Sequence, residues 1–295
     1  MLTDDEVVEV VRQLAALGLR RVRLTGGEPT LRPTLVSLVE RLRGLGVLDD
    51  LSLSTNGVRL AELAPALARA GLDRVNVSVD SLDPARAARI ARRDLGFDPL
   101  AALAAAESAG LGPVKVNTVV IRGVNDDEIE ALAALTVEHA WHVRFIELMP
   151  VGELAEPMTP AAAHPASAVV PSDELRAHLA AYGRRIGRPL EAASGPGRGN
   201  GPAVYERFSG AKGTVGFITP MTHTYCGACN RVRLTADGRL RPCLYGEGEV
   251  ALRGALRAGR PLAPLVAEAL AAKPREHLLL ALRVGGLRAL SQVGG

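Results

Sequence analysis

Two hydrophobic rhythms alternate along the first half of the chain: apolar residues at helical spacing, and short runs in which apolar and polar positions alternate. Thr3-x-x-Glu6 has the form of a capping box and predicts a helix reaching about Ala16. Residues 21–25 then read as a strand, followed by a Gly-rich turn and a helix opening at Pro33. Residues 51–54 form the next predicted strand, ended by the turn Asn56-Gly57. A helix to Ala70, a strand over 74–79 and Ala-rich helical stretches through Ala109 follow. Residues 114–121 predict a strand, 126–139 a helix and 142–148 another strand.

This repeat predicts an α/β fold with a parallel sheet and helices outside it. Functional residues in such folds sit at the C-terminal ends of the strands. The candidates there are Gly26-Gly27-Glu28-Pro29, Thr55-Asn56-Gly57, Ser78 with Asp80, and Met149. Periodicity does not separate a doubly wound sheet from a barrel. The repeat opens on a helix, so a first strand is expected to be missing. After Met149 the character changes, which divides the chain into 1–150 and 151–295. Residues 151–171 are rich in Pro and Ala and predict a loop, with a short helix near 172–182. The segment GPGRGNGP, at 195–202, predicts a flexible connection or a hairpin tip. Strand-like runs surround Val204, Val215 and Val232, and helices are predicted over 250–258 and 262–272.

Composition narrows the class. Hydrophobic residues make up 47% and charged residues 23% of the 295 residues, which fits a globular protein. Aromatics are only 3%, so the core must come from Leu, Val and Ala. A net charge of +3 argues against nucleic-acid binding by the overall field and leaves any anion to local arginines. No apolar run suits a bilayer, and the acidic, amphipathic N-terminus is unlike a targeting peptide. The expected location is the cytoplasm.

All three cysteines lie in TYCGACNRVRLTADGRLRPC, as Cys226, Cys229 and Cys243, spaced C-x2-C-x13-C. They do not form a disulfide framework. Three readings are open: zinc completed by His223, an iron–sulfur cluster with one iron free for a non-protein ligand, or buried thiols clustered by chance. Spacing alone slightly favours zinc. Arg231 and Arg233 would share one face of a strand and could grip a polyphosphate, although a solvated basic face is the commoner outcome. Lys115, one of three lysines, sits inside the predicted strand VKVN, where a dry core would make its charge costly.

Several motifs taken in order decide between these readings: RLTGGEPTLR, STNG, NVSVDSL, VKVN, RGVNDDE, RFIELMPVG, CGACNRVRLTADGRLRPCL and SQVGG. Together they resemble the radical S-adenosylmethionine enzymes of molybdenum cofactor biosynthesis that act as GTP 3′,8-cyclases. The resemblance runs from the first helix to the terminal Gly-Gly. It implies an incomplete parallel (βα) barrel closed by a C-terminal α+β extension that carries an iron–sulfur site. It also implies that Cys226, Cys229 and Cys243 hold a [4Fe–4S] cluster whose open iron meets the guanine of GTP, with His223 a bystander. Gly27, Ser78 and Met149 would contact S-adenosylmethionine. Arg23, Ser54 (where the family usually has Thr), Lys115, Arg144, Arg231 and Arg233 would bind GTP. Gly294 and Gly295 would reach into the active site and serve the radical chemistry.

The reaction so implied starts from a 5′-deoxyadenosyl radical, which abstracts hydrogen from C3′ of GTP. The carbon radical then closes on C8 to give 3′,8-cyclo-7,8-dihydro-GTP, the first step toward molybdopterin. The family's first strand and its C-x3-C-x2-C loop, which hold a second [4Fe–4S] cluster, would precede Met1, and no cysteine remains for them. The chain as written is therefore expected to be inactive without that segment. A longer native protein is the favoured explanation; a truncated GTP-binding remnant and a zinc-stabilised nucleotide-binding module are the alternatives. Expected partners are GTP, a one-electron donor and a downstream enzyme of molybdopterin synthesis. A homodimer is compatible with this; nucleic acid and membrane are not expected.

Overall fold

The computed structural model describes residues 1–94, 96, 98–149, 167–197, 201–246 and 248–276. In chain order the elements are α1 (Asp4–Ala16), β1 (Arg21–Leu24), α2 (Leu35–Gly44), β2 (Asp50–Thr55), α3 (Leu60–Arg69), β3 (Arg74–Ser78), α4 (Pro84–Ala91) and α5 (Pro99–Ser108). Then come β4 (Lys115–Val120), α6 (Ile129–Glu138), β5 (His142–Glu147), α7 (Ser172–Arg185), β6 (Leu190–Ala193), β7 (Val204–Phe208) and β8 (Thr214–Ile218). The last are β9 (Arg233–Leu234), β10 (Arg239–Arg241), β11 (Val250–Ala251), α8 (Arg253–Arg257) and α9 (Ala263–Ala271).

The chain forms two compact units. The first takes Met1–Ser54, Pro65–Asp73 and the described residues from Cys226 on; the second takes Thr55–Ala64 and Arg74–Tyr225. In the second unit β3, β4, β5 and β8 run parallel, and β7 and β6 continue antiparallel beyond β8. Alternation sorts the side chains of these strands by face. One face carries Val75, Val77, Val116, Val143, Phe145, Val215 and Phe217, all at most 1% exposed. Helices α6 and α7 pack on β5, with Ile129, Leu132 and Leu175 buried. Each such side chain removed from water stabilises the fold by about 1.5–3 kcal/mol.

In the first unit β1 and β2 pair in parallel, with Arg21 opposite Asp50 and Arg23 opposite Ser52. The capping box at Thr3 is present in full: Glu6 N–H donates to Thr3 Oγ1 at 3.2 Å and Thr3 N–H to Glu6 Oε2 at 2.9 Å. The apolar stripe of α1, Val10 and Leu14, packs in one cluster with Leu240, Leu252, Ala255, Leu262, Val266 and Ala269. Leu2 N–H donates to Ala236 carbonyl oxygen at 2.7 Å, and Leu262 N–H to Gln13 Oε1 at 2.9 Å. Helices α1, α8 and α9 therefore share one core.

Two expectations need correction. The helix predicted from Val250 starts at Arg253, because Val250 and Ala251 are held as β11 against β10. The strand expected around Val232 covers only Arg233–Leu234, so Arg231 lies outside it and strand alternation does not put the two arginines on one face. Strands β6 and β7, on either side of the Gly-rich segment at 195–202, pair antiparallel, and residues 198–200 of that segment lie outside the described residues. The predicted loop at 151–171 falls mainly outside the described residues.

Candidate functional site

The second face of the parallel strands is polar throughout its lower part. Register places Asn76 beside Lys115 and Lys115 beside His142; one step along, Asn117 lies beside Arg144 and Arg144 beside Gly216. Arg74 is 1% exposed, Arg144 3%, Lys115 4% and His142 9%. Strands β3, β4, β5 and β8 contribute no carboxylate to this face. Positive charge is therefore concentrated on one buried surface.

The neighbouring groups order and perturb these cations. Asn76 Oδ1 accepts from Arg144 Nη2 at 3.0 Å and from Arg74 Nη1 at 3.3 Å. Burial pulls Arg144 below its usual pKa; Arg74 adds to this, while the hydrogen-bonded Tyr205 opposes it. Burial, followed by Lys115, Arg144 and Arg207, pulls His142 down to about 4, so its ring is neutral near pH 7 and hydrogen-bonds Thr214 Oγ1 at 2.7 Å. Gly216 makes room for the cluster: a Cβ there would lie 2.9 Å from Tyr205 Cε1 and 3.1 Å from Arg144 Cγ. Arg144 Nε and Asn117 Oδ1 are buried polar atoms without a protein hydrogen-bond partner.

At the C-terminal end of β3 the same unit holds a cavity of about 680 Å³, lined by Asn56, Ser78, Asp80, Leu82 and Ile90 among others. Asn56 is fixed by a tight turn in which its Oδ1 accepts from Val58 N–H at 3.0 Å and Gly57 has φ of 84°. Asp80 Oδ1 accepts from Val119 N–H at 2.8 Å. Part of the Asp80 side chain opens to the cavity, yet desolvation by the surrounding protein pushes its carboxyl up to about 6. Met149 follows β5 and is half-buried.

Just before it, Glu147 is 1% exposed and gathers four donors. Its Oε1 accepts from Ser172 N–H at 2.9 Å and Thr222 Oγ1 at 2.5 Å, and its Oε2 from Met221 N–H at 2.9 Å and Thr222 N–H at 3.0 Å. This carboxylate anchors the segment that leads toward the cysteines. His223, in that segment, has its ring Nε2 3.3 Å from Asp173 Oδ2.

The first unit holds the remaining candidates. Glu28 caps the turn Pro29–Leu31, its Oε1 accepting from Thr30 N–H at 3.0 Å, which leaves Gly27 exposed at the end of β1. Arg23 is an exposed β1 residue, and Ser54 is half-buried near the end of β2. Cys226 and Cys229 flank a single turn closed by Cys229 N–H donating to Cys226 carbonyl oxygen at 3.0 Å. Strand β10 pairs with β9 so that Arg241 faces Arg233, and Cys243 follows two residues after β10. Arg241 is committed to structure, with Nη1 on Glu249 Oε1 at 2.6 Å and Nη2 on Gly246 carbonyl oxygen at 2.9 Å.

These donors fit an iron–sulfur cluster in their chemistry. All three thiols are free and half-buried. Burial raises the Cys229 thiol, but Arg231 and Lys273 outweigh it and hold the group below its ordinary pKa, toward the thiolate that binds iron. Among the described residues no three His, Cys, Asp or Glu side chains converge on a single-ion site. A cluster asks for less convergence than one zinc ion, since each thiolate takes its own iron.

The structure thus brings Lys115 and Arg144 onto one face and Ser78 to a cavity, sets Cys226 and Cys229 on one turn ahead of β9, and leaves Cys243 just after β10. Gly294 and Gly295 lie outside the described residues. The sequence reading passed over Arg74, Asn76, His142, Tyr205 and Glu147. The first three carried a usable signal, because RVNVS and HVRF alternate apolar with polar residues in step with VKVN. Tyr205 and Glu147 act through long-range packing that strand alternation does not disclose.

Comparison with known proteins gives the relationship. The family described as Radical SAM superfamily matches residues 1–136, and the one described as Molybdenum Cofactor Synthesis C matches residues 141–279. A GTP 3′,8-cyclase of Moorella thermoacetica is 45% identical over 303 residues, covering 100% of this chain and 88% of the relative. A GTP 3′,8-cyclase of Pelotomaculum thermopropionicum is 45% identical over 299 residues, with the same coverage of 100% and 88%. The crystal structure of Streptococcus suis SuiB bound to S-adenosylmethionine superposes with a TM-score of 0.55 at 12% identity, over 91% of this chain and 61% of that one, a likeness of fold. No helix among the described residues is long and apolar enough to cross a membrane. With near-half identity along its whole length to these relatives, the chain belongs to the GTP 3′,8-cyclase family of radical S-adenosylmethionine proteins.

Proposed function

We propose that this protein converts GTP to 3′,8-cyclo-7,8-dihydro-GTP in molybdenum cofactor synthesis when joined to the C-x3-C-x2-C segment that holds a second [4Fe–4S] cluster, its functional parts here divided near residue 150. The observation that carries the proposal is the buried cationic face of β3, β4 and β5. Three positive side chains are crowded there among polar neighbours, an arrangement that a bound polyanion would stabilise. Lys115 and Arg144 would hold the triphosphate, joined by Arg23, Arg231 and Arg233, with Ser54 on the sugar or base. Neutral His142 adds no charge of its own, so the anion would be met by fixed cations only.

Ser78 and Met149, with Gly27, are assigned to S-adenosylmethionine; the cavity beside Ser78 has the size of a cofactor site. Cys226, Cys229 and Cys243 are assigned to a [4Fe–4S] cluster, with Gly294 and Gly295 placed in the catalytic step. The cluster on these three cysteines would meet the guanine of GTP, while the second cluster, on the C-x3-C-x2-C segment, would supply the electron that generates the organic radical from S-adenosylmethionine. The protein's own contribution is to clamp the triphosphate, hold the ribose against the cofactor and exclude water.

The test uses the full chain, reconstituted anaerobically with iron and sulfide. GTP binding by calorimetry should weaken at least about tenfold, ~1.4 kcal/mol, in Lys115→Ala and in Arg144→Ala. Unchanged affinity in both would remove the triphosphate from this face. Zinc at full occupancy in place of iron, with GTP affinity independent of iron, would turn down the cluster assignment.

A further inference from the structure

Lys273 has so far entered only as a positive charge near Cys229. It follows the end of α9, whose Val266 and Ala269 are buried in the core shared with α1. Its ammonium turns inward rather than to solvent. Nζ donates to the carbonyl oxygens of Cys229 and Arg231, at 2.8 Å each, and lies 3.6 Å from Cys229 Sγ. A flexible, strongly hydrated ammonium gives up water only for strong acceptors, and these three lie on one short stretch of loop. Two of them belong to Cys229, a cysteine assigned to the cluster, and one to Arg231, an arginine assigned to the substrate.

We propose that Lys273 is a positioning residue of the thiol site. It locks the loop from Cys229 to Arg231 and directs a positive donor at the Cys229 sulfur, raising the reduction potential of the cluster held there. The physical basis is general: a hydrogen bond or cation at a ligating sulfur withdraws electron density from the thiolate and favours the reduced, more negative cluster. The two carbonyl contacts fix the ammonium in place, so the effect belongs to a defined geometry rather than to a mobile surface lysine. This inference rests on the assignment of the three cysteines to a cluster.

The experiment compares wild type, Lys273→Met and Lys273→Arg, each reconstituted anaerobically and assayed for iron and sulfide before anything else. A mediated redox titration followed by electron paramagnetic resonance should show Lys273→Met harder to reduce, by about tenfold in the reduction equilibrium, which is ~59 mV for one electron. Lys273→Arg, keeping charge and donors, should stay close to wild type. An unshifted potential in Lys273→Met at full iron content would overturn the proposal. If Lys273→Met keeps its native circular dichroism but takes up no iron, Lys273→Gln provides a donor without the charge, and the same shift is expected there. Loss of iron in that variant too would reduce Lys273 to a loop clip and refute the tuning role. Failure of wild type to bind iron would instead overturn the cluster assignment, and this inference with it.

Discussion

Asn76 and Arg144 form the hinge of the cationic face: Asn76 Oδ1 accepts from Arg144 Nη2 at 3.0 Å while both side chains are at most 3% exposed. The same oxygen takes Arg74 Nη1 at 3.3 Å, so one neutral amide orders two guanidiniums. Neutrality is the useful property. A carboxylate at this position would satisfy the cations internally and compete with a bound anion. Asn76→Asp should therefore raise the urea midpoint of the free protein and weaken GTP binding about tenfold. Asn76→Leu removes one shared acceptor from two buried charged donors and should cost about 2–3 kcal/mol of stability. A rise in both stability and GTP affinity with Asn76→Asp would contradict this account.

Gly216 governs the same face through volume. Its missing side chain lets Tyr205 and the stem of Arg144 lie flat on the sheet. Valine there would push both aside at a packed, buried position. Gly216→Val should lose about 1–3 kcal/mol of stability. It should also lower GTP affinity by more than tenfold, measured by the same anaerobic calorimetry. A variant of wild-type affinity would show that Arg144 does not need its observed pose.

Much of this arrangement was legible in the sequence, and the unread part has definable causes. Alternation in VKVN and HVRF placed Lys115 and Arg144 on strands, since a period of two survives without knowledge of neighbours. It did not disclose that Asn76 would join Arg74 to Arg144, because that depends on the relative register of two strands about 70 residues apart in sequence. The stripe on α1 announced a buried face but not its partner. That partner, around Leu240, Leu252 and Leu262, comes from the far end of the chain. The misplaced helix start at Val250 has the same origin: pairing with β10 overrode local helix preference. Lys273 was unreadable for a further reason, since its partners are mainly backbone carbonyls, which leave no residue-type signature.

Glu147 yields a structural prediction. Its two oxygens accept four hydrogen bonds from Ser172, Met221 and Thr222 in an almost fully buried setting. Glu147→Gln keeps the shape but turns one acceptor into a donor facing donors. A loss of about 2–4 kcal/mol is expected, read from chemical denaturation. The segment leading to Cys226 should also become easier to cleave by protease. A stability within about 0.5 kcal/mol of wild type would mean the four bonds are not made in solution.

His142 and Asp80 make opposite contributions to the dependence of stability on pH. Burial and the adjacent Lys115 and Arg144 hold His142 at about 4, against 6.5 when exposed. Between those values the unfolded chain binds a proton that the folded chain refuses. Stability from this site is complete above pH 6.5 and falls as pH drops toward 4, by about 3 kcal/mol in all. Asp80 works the other way. Desolvation raises it to about 6 from 3.8, so the folded chain keeps a proton that the unfolded chain has released, and stability falls as pH rises through that window. Partial opening of Asp80 to the cavity limits its share to about 1–2 kcal/mol. The two slopes offset each other between pH 4 and 6. Asp80→Asn, which retains an oxygen for Val119 N–H, should expose the His142 slope, with urea midpoints climbing steeply from pH 4.5 to 6.5. His142→Asn should leave the Asp80 slope, with midpoints declining over the same range. Parallel profiles for the two variants would refute both assignments, because their signs follow from which state of each group the fold excludes.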